Sequence, residues 1–301
     1  MTVPAPGPHG GDGRRVGSAL GLRPDEVLDL SVSLNPVAPD VTGSVARHLG
    51  SIRHYPDTSA ATHALAAAMG VPPERLLLTN GGAEAIGLVA AELGRGWADE
   101  CDFSLYRRHL PALDPGGARF RSDPHNPTGR LAGPDERAEV WDEAFYPLAT
   151  GRWTAGRDAI TVGSLTKVFA CPGLRLGYVI APDEELVERL AARQPRWSVN
   201  SVATEALPDL LAAADLPGWA ARIAELRADL TPLLARHGLA PQPSDANYVL
   251  CTDAPGLRER LAPAGVVVRD CASFGLEGHA RVAVPDAAGL ARLATALENT
   301  A

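Results

Sequence analysis

The stretch from Arg75 to Leu93 constrains the fold more than any other part of this sequence. Its first part, RLLLTN (75–80), is a short apolar run that predicts a buried strand, and it ends at Asn-Gly-Gly. Its second part, GAEAIGLVAAEL, has the spacing of a helix. A strand that turns directly into a helix is the building unit of α/β proteins, so the stretch predicts a sheet flanked by helices.

Short apolar runs typical of buried strands recur further along the chain, between loops and helical stretches. These runs are AEVWDEA (138–144), AITVGS (159–164), RLGYVIAP (175–182), ANYVLC (246–251), GVVVRDC (265–271) and ARVAV (280–284). The alternation predicts a mostly parallel sheet in an α/β fold. We expect an N-terminal arm over residues 1–40 that contributes to the small domain and the substrate site, a large domain over 41–205, and a small C-terminal domain over 206–301.

Charge and composition exclude several classes of function. The net charge of −8 argues against nucleic acid as the main partner, because phosphate backbones attract basic surfaces. No run of about 18 apolar residues predicts a membrane span, and MTVPAPGPHGGDGRR lacks the features of a secretory signal. The four cysteines form no CxxC pair, which favours free thiols and a cytoplasmic location. The sequence contains no cluster of histidine and cysteine residues, so it predicts no metal site.

One residue type stands apart from this composition. Of the 28 residues counted as Lys+Arg, 27 are arginine, and Lys167 is the only lysine. Only lysine can lose its proton near neutral pH and attack a carbonyl carbon, because arginine stays charged. Lys167 therefore indicates a Schiff base with an aldehyde. The alternative is a solvated lysine in a loop that survived by chance.

The neighbours of Lys167 favour the covalent interpretation. Ser164 lies three residues before it, and Arg175 lies eight residues after it. A hydroxyl and a guanidinium at this spacing would bind a phosphate on the ligand that carries the aldehyde. An aldehyde that carries a phosphate indicates pyridoxal phosphate.

The segment S-L-T-K followed by P-G-L-R-L-G-Y resembles the cofactor signature of fold-type-I pyridoxal-phosphate enzymes, the aspartate aminotransferase superfamily. Three more motifs occur in the order that this family has: NGGAEAI (80–86), DPHNPTG (123–129) and WDEAF (141–145). The resemblance implies the fold-type-I α/β architecture, pyridoxal 5'-phosphate as cofactor and Lys167 as the catalytic residue that binds it.

The resemblance also assigns cofactor contacts to individual residues. Gly82, Ala83, Ser164 and Arg175 would hold the phosphate, Asn126 the phenolic oxygen and Asp142 the pyridinium nitrogen, while Phe103 would stack on the ring. Tyr55 would reach the phosphate in a neighbouring subunit, which implies a homodimer with shared active sites. The structural alternatives are turn glycines, a helix cap, a core phenylalanine and a surface tyrosine.

A finer resemblance is to the threonine-phosphate decarboxylases of cobalamin synthesis, which are relatives of the histidinol-phosphate aminotransferases. The segments that carry it are PHGGD (8–12), LDLSVSLNP (28–36), PRWSVN (195–200) and RDCASFGLEGHARVAV (269–284), together with Phe145. It implies a phosphorylated amino acid as substrate, most simply O-phospho-L-threonine. Arg281 would bind the α-carboxylate and Arg269 the substrate phosphate, and the other substrate-binding candidates are His9, Ser33 and Asn35.

Two departures from the family pattern concern the large domain. The segment between SLYRRHL (104–110) and SDPHNPTG (122–129) is short, so we expect the sheet to lack an edge element. GWADECD, ahead of Phe103, is acidic where relatives have an apolar strand. In the arm, Ser33 stands where the decarboxylases have asparagine. An aminotransferase and a non-catalytic cofactor-binding protein remain the alternatives to a decarboxylase.

Overall fold

The computed structural model describes residues 2–300 and contains two β-sheets with helices around them. The strands are β1 (Leu28–Leu30), β2 (Leu76–Asn80), β3 (Arg95–Ala98), β4 (Ala112–Leu113), β5 (Ala118–Ser122), β6 (Val140–Asp142), β7 (Ile160–Ser164), β8 (Leu176–Ile180), β9 (Ala240–Pro241), β10 (Tyr248–Thr252), β11 (Val266–Asp270) and β12 (Ala280–Ala283).

The α-helices lie between and around these strands along the chain, and two stretches, 42–69 and 184–236, contain consecutive helices with no strand between them. They are α1 (Gly13–Leu20), α2 (Thr42–Arg47), α3 (Ser59–Met69), α4 (Gly81–Leu93), α5 (Leu105–His109), α6 (Tyr146–Thr150), α7 (Leu165–Val168), α8 (Glu184–Arg193), α9 (Ser201–Ala212), α10 (Leu216–Arg236), α11 (Leu257–Leu261) and α12 (Ala287–Glu298). Asp183, Asn200, Asp215 and Asp286 each accept a hydrogen bond from an amide in the first turn of α8, α9, α10 and α12. Within residues 2–300, no helix combines the length and the apolar character needed to cross a membrane.

The larger sheet has seven strands in the order β2-β8-β7-β6-β5-β3-β4. Its strands are parallel except β8, which runs antiparallel to both of its neighbours, so the predicted mostly parallel sheet is confirmed. Both faces of its central strands β6, β7 and β8 are buried, as is typical of parallel sheets. One apolar cluster includes Leu65, Leu165 and Leu176, and another includes Ile86 and Val162.

The edge of this sheet differs from the expectation. We expected an edge element to be missing, but β4 occupies the edge as a strand of two residues beside β3. Strands β4 and β5 are both parallel to β3, on opposite sides of it, and only residues 114–117 connect them. Gly117 makes this short connection possible, because a Cβ there would lie 2.9 Å from the backbone of Arg95.

The smaller sheet has the order β1-β11-β12-β10-β9. Strand β1, from the N-terminal segment, pairs in parallel with β11, and the remaining pairs are antiparallel. Leucines of α10 and α12, among them Leu230 and Leu293, pack with strand residues such as Val249 in one buried cluster. The sheet therefore combines segments from opposite ends of the chain.

Candidate active site

A cavity of about 220 Å³ lies between the two sheets and receives side chains from both. Its lining residues are far apart in sequence, as in an active site, whereas a surface turn contains only residues that are close in sequence. Eleven of the predicted site residues line it: His9, Gly82, Ala83, Phe103, Asn126, Asp142, Ser164, Lys167, Arg175, Arg269 and Arg281. Phe145 lines it as well.

Lys167 lies in α7, immediately after the central strand β7. Burial lowers the pKa of Lys167 to about 8, and the positive charges of Arg281 and Arg175 act in the same direction. At pH 7 about a tenth of the side chain is therefore the uncharged, nucleophilic amine, far more than for an ordinary lysine. The Nζ atom lies 6.0 Å from the ring centre of Phe145, so the wall beside the amine is apolar.

Asp142 ends strand β6 and is 9% exposed. The backbone N–H of Ala144 donates to Oδ1 at 2.9 Å, and the hydroxyl of Tyr106 donates to Oδ2 at 2.8 Å. Burial nevertheless raises the pKa of Asp142 to about 6, and the hydrogen bonds only partly oppose it. A ring nitrogen that carries a proton would stabilise this carboxylate, which is the property that a pyridine-based cofactor requires.

Tyr106 was not identified from the sequence. Its side chain is fully buried, its hydroxyl holds Asp142, and its ring meets that of Phe103 edge-on with centroids 5.8 Å apart. The available signal was its spacing, because Tyr106 follows Phe103 by about one helical turn in DFSLYRRHL. Thr166, which lies 2.8 Å from Ser164 Oγ and also lines the cavity, was missed too.

The turn between β2 and α4 forms a small concave surface. Gly81 has φ +76°, and a Cβ there would lie 2.5 Å from the Nη2 atom of Arg175, so the guanidinium rests directly on the turn. A Cβ at Gly82 would lie 3.3 Å from that of Ser164. The first amides of α4 are free of helix partners and carry partial positive charge. These groups fit a phosphate, so the turn could hold that part of pyridoxal phosphate.

Asn126 is held between two partners. Arg281 Nη1 donates to its Oδ1 at 2.5 Å, and its backbone N–H donates to Ser122 Oγ at 2.8 Å. Since arginine can only donate, the side-chain carbonyl faces Arg281 and the amide NH2 remains to donate elsewhere. The arrangement suits the phenolic oxygen of a ring held between Asp142 and Lys167.

The opposite wall belongs to the smaller sheet. Arg269 in β11 and Arg281 in β12 stand directly opposite each other in the antiparallel register, and both side chains are buried. Burial, followed by the charge of Arg281, lowers the pKa of Arg269 to about 10. Within the part of the chain that the structure describes, Arg281 Nε has no hydrogen-bond partner. Two adjacent buried cations indicate a site for an anionic ligand.

The N-terminal arm closes this wall. Arg269 donates to the carbonyls of Gly7 and Pro8, at 3.0 and 2.7 Å, and to Ser273 Oγ at 2.6 Å. His9 then lies with its ring centroid 5.7 Å from that of Phe103. Burial, followed by the charge of Arg269, lowers the pKa of His9, so the ring is neutral near pH 7.

Three predicted residues do not line the cavity. Ser33 and Asn35 are buried outside it. The side chain of Asn35 donates to Val168 O at 2.9 Å, and its backbone N–H donates to Lys167 O at 3.0 Å. Asn35 therefore supports the lysine-bearing turn and does not face the cavity. Tyr55 is 77% exposed and stacks on Trp197, with centroids 4.4 Å apart.

Comparisons with known proteins agree on one family. The family model for aminotransferase class I and II matches residues 120–297. Threonine-phosphate decarboxylase from Salmonella typhimurium is 32% identical over an alignment that covers 97% of this chain and 96% of that protein. Histidinol-phosphate aminotransferase from Symbiobacterium thermophilum is 29% identical over 88% of this chain and 87% of its own length.

Structural similarity extends over almost the whole chain. The crystal structure of histidinol-phosphate aminotransferase from Sinorhizobium meliloti in complex with pyridoxal-5'-phosphate has a TM-score of 0.82 and 17% identity, and the match covers 96% of this chain and 94% of that one. At this identity the match establishes the fold. The alignment with the Salmonella protein spans 352 residues, more than this chain contains, so part of that relative has no counterpart here.

Proposed function

The chain belongs to the class I and II aminotransferase family of enzymes that use pyridoxal 5'-phosphate, and from this premise we propose that it decarboxylates O-phospho-L-threonine to aminopropanol phosphate. The reaction would serve cobalamin biosynthesis. The similarity to threonine-phosphate decarboxylase over 97% of the chain supports this proposal. The free cysteines among the described residues support a cytoplasmic location.

The observation that carries the proposal is the pair Arg269 and Arg281. The two residues are direct neighbours across β11 and β12, and both line the cavity that holds Lys167. A ligand that fits them carries two anionic groups a few bonds apart. O-phospho-L-threonine has this form, because its carboxylate and its phosphate flank the carbon that bears the amine.

The neighbours of each arginine support an assignment of the anion that it binds. Arg281 bonds Asn126 and lowers the pKa of Lys167, so it lies beside the reacting carbon and binds the α-carboxylate. Arg269 lies beside His9 and the arm, and with them it binds the substrate phosphate. Its Nη2 donors are taken up by Pro8 and Ser273, so Nε and the second Nη1 hydrogen remain for the phosphate.

Lys167 performs the proton chemistry at Cα. When bound, pyridoxal phosphate supplies an electron sink for the pair released at that carbon. Lys167 Nζ would hold the cofactor covalently, and with substrate bound the same amine would be the group beside Cα that can carry a proton. In decarboxylation the Cα–carboxylate bond breaks and CO2 leaves. Lys167 or a water molecule would then give a proton to Cα, and Asp142 is the residue that would stabilise a positive charge on the ring nitrogen.

An aminotransferase of the histidinol-phosphate type is the second candidate, and the similarity to those enzymes supports it. In that reaction Lys167 removes the hydrogen from Cα instead. Histidinol phosphate has no carboxylate, so Arg281 would be needed only for the keto-acid partner. The two functions therefore differ in what Arg281 binds during the first half of the reaction.

The test is to incubate the purified protein and pyridoxal phosphate with O-phospho-L-threonine. CO2 release in the absence of a keto acid is the expected result. Turnover that requires 2-oxoglutarate would overturn decarboxylation in favour of transamination. Unphosphorylated threonine is the matched substrate, and we expect it to react at least about tenfold more slowly, because it lacks the group that Arg269 binds.

We also propose that the protein is a homodimer in which Tyr55 of each copy reaches the phosphate site of the other. Large apolar side chains are exposed together in this region: Leu49, Ile52, Tyr55 and Trp197. A mixture of Lys167→Ala and Tyr55→Ala proteins should regain activity that neither has alone, because one site of the mixed dimer is intact. Sedimentation of the wild-type protein as a monomer would contradict the proposal.

A further inference from the structure

Asp102 is a buried carboxylate that the proposed chemistry does not use. It lies between β3 and α5, directly before Phe103, and its side chain has no exposed surface. It also does not line the cavity. Burial of a carboxylate is unfavourable unless its oxygens accept hydrogen bonds, so its contacts should explain why it is there.

The hydrogen bonds of Asp102 lead to two residues that line the cavity. Its Oδ1 accepts from the N–H of Phe103 at 2.7 Å and from Ser122 Oγ at 2.5 Å, and its Oδ2 accepts from the N–H of Ser122 at 3.1 Å. Ser122 Oγ in turn accepts from the N–H of Asn126 at 2.8 Å. One carboxylate oxygen therefore connects the backbone of Phe103 to that of Asn126 through a single hydroxyl.

The contacts of Asp102 do not match those of a helix cap. Helix α5 begins at Leu105, and the only amide between Asp102 and this helix that bonds the carboxylate is that of Phe103. Two of the three hydrogen bonds go to Ser122, at the end of strand β5, which pairs with β3. Asp102 thus joins two loops at the cavity instead of stabilising one helix.

The sheet edge explains why this loop needs such a connection. Beyond β3 the sheet contains only the two residues of β4, both exposed, so little structure supports the Phe103 loop from outside. Among the described residues, the one titratable group within ion-pair distance of Asp102 is His125, whose Nε2 lies 3.8 Å from Oδ2. Burial lowers the pKa of His125, so a neutral ring faces the carboxylate and the three hydrogen bonds provide its main stabilisation.

We propose that Asp102 is a positioning residue that holds Phe103 against the face of the cofactor ring and Asn126 at its phenolic oxygen. The inference rests on the roles given to Phe103 and Asn126 under the proposed function. It does not depend on which bond at Cα is broken. Asp102 acts on the cofactor before any substrate arrives, and its effect is measurable in the absence of substrate.

The primary variant is Asp102→Asn, tested with pyridoxal phosphate alone. An amide places a donor where the carboxylate accepts from Ser122, so one of these hydrogen bonds is lost. We expect the dissociation constant of the cofactor to rise roughly tenfold or more and its induced circular dichroism to fall. Equilibrium dialysis and visible circular dichroism measure the two effects.

The matched control is Asp123→Asn. Asp123 is 1% exposed, accepts from Ala132 N and pairs with Arg157, but it does not line the cavity. We expect this variant to lower the unfolding temperature without changing the cofactor constant. If Asp102→Asn behaves in the same way, the carboxylate only stabilises the fold and the proposal is overturned.

A second pair of variants keeps the test decisive if Asp102→Asn does not fold. Ser122→Ala removes only the connecting hydroxyl and should raise the dissociation constant about three- to tenfold, whereas Ser122→Thr keeps the hydroxyl and should restore it. An unchanged constant in Ser122→Ala would overturn the connection. Phe103→Ala and Asn126→Ala, if they also leave the constant unchanged, locate the failure in the proposed cofactor contacts themselves.

Discussion

The cavity has two walls, one from the larger sheet and one from the smaller sheet, and their charges are arranged in opposite ways. On the large-sheet wall the polar groups complement one another: Tyr106 donates to Asp142, and the negative charge of Asp142 faces the Lys167 amine. On the small-sheet wall like charges stand together, because Arg269 and Arg281 are paired across two strands. The residues of the first wall therefore satisfy one another. The second wall carries two like charges that an anionic ligand would balance, so under the proposed function this wall sets specificity.

The strongest test of the large-sheet wall is replacement of its lysine. Lys167→Arg keeps the positive charge but cannot release a proton, so we expect activity to fall at least about a thousandfold. Lys167→Ala should lose the covalent link as well, which borohydride reduction and mass spectrometry detect in the wild type. A Lys167→Ala protein that is still reduced onto the cofactor would contradict the assignment of this wall.

Asp142→Asn should separate activity from stability. Without a carboxylate at the ring nitrogen we expect kcat/KM to fall on the order of a hundredfold. The pKa of Asp142 is raised from 3.8 to about 6, so in the cofactor-free protein stability is lost as pH rises through this range. The variant should therefore be more stable than wild type at pH 7.5, by about 1–3 kcal/mol. Urea unfolding of the cofactor-free proteins measures this difference, and a less stable variant would contradict it.

The small-sheet wall predicts different losses for its two arginines. Arg269→Gln should lower kcat/KM for O-phospho-L-threonine by about thirtyfold and leave kcat/KM for threonine almost unchanged, because threonine has no phosphate for Arg269 to bind. Arg281→Gln should impair both substrates. Arg258→Gln is the control, since Arg258 also holds the arm, through Pro4 O and Asp12, but lies away from the cavity. Equal losses in Arg258→Gln would assign the effect to the arm.

The smallest expected effect concerns the coupling between the walls. Cofactor attachment requires the neutral amine, so its rate should rise with pH and level off above about pH 8, the pKa of Lys167. The charge of Arg281 helps to lower this pKa, so Arg281→Gln should raise it and slow attachment at pH 7.5 by about two- to fivefold. Stopped-flow absorbance measures the attachment rate against pH for the wild type and for Arg281→Gln. If the two pH profiles coincide, the charge of Arg281 does not affect the pKa of Lys167.

The large-sheet wall could be predicted from sequence because its residues follow strands within a few positions. Ser164, Lys167 and Arg175 share one short segment, and Asp142 ends its strand as expected. The roles of Tyr106 and Asp102 could not be predicted, because their partners Asp142 and Ser122 lie on other strands. A tyrosine or aspartate that will be buried is not marked by any pattern in its neighbouring residues. Such contacts depend on tertiary packing.

The errors have a similar origin. A strand of two residues, such as β4, gives no periodic signal, so we expected an absent edge where a reduced one is present. The arm over residues 1–40 was expected to contribute to the small domain, but the pairing of β1 with β11 gave no signal in the sequence, because the two strands are far apart along the chain. Asn35 lies in a segment shared with the decarboxylases, but resemblance does not state the direction in which a side chain points.

The pairing of β1 with β11 also determines the order in which the molecule can be completed on the ribosome. Leu28 is synthesised long before its partner Val266. The large sheet, whose last strand ends at Ile180, can assemble while synthesis continues. The nascent N-terminal segment must wait unpaired, so a ribosome stalled before β11 should carry a protease-resistant large sheet and a cleavable N-terminus.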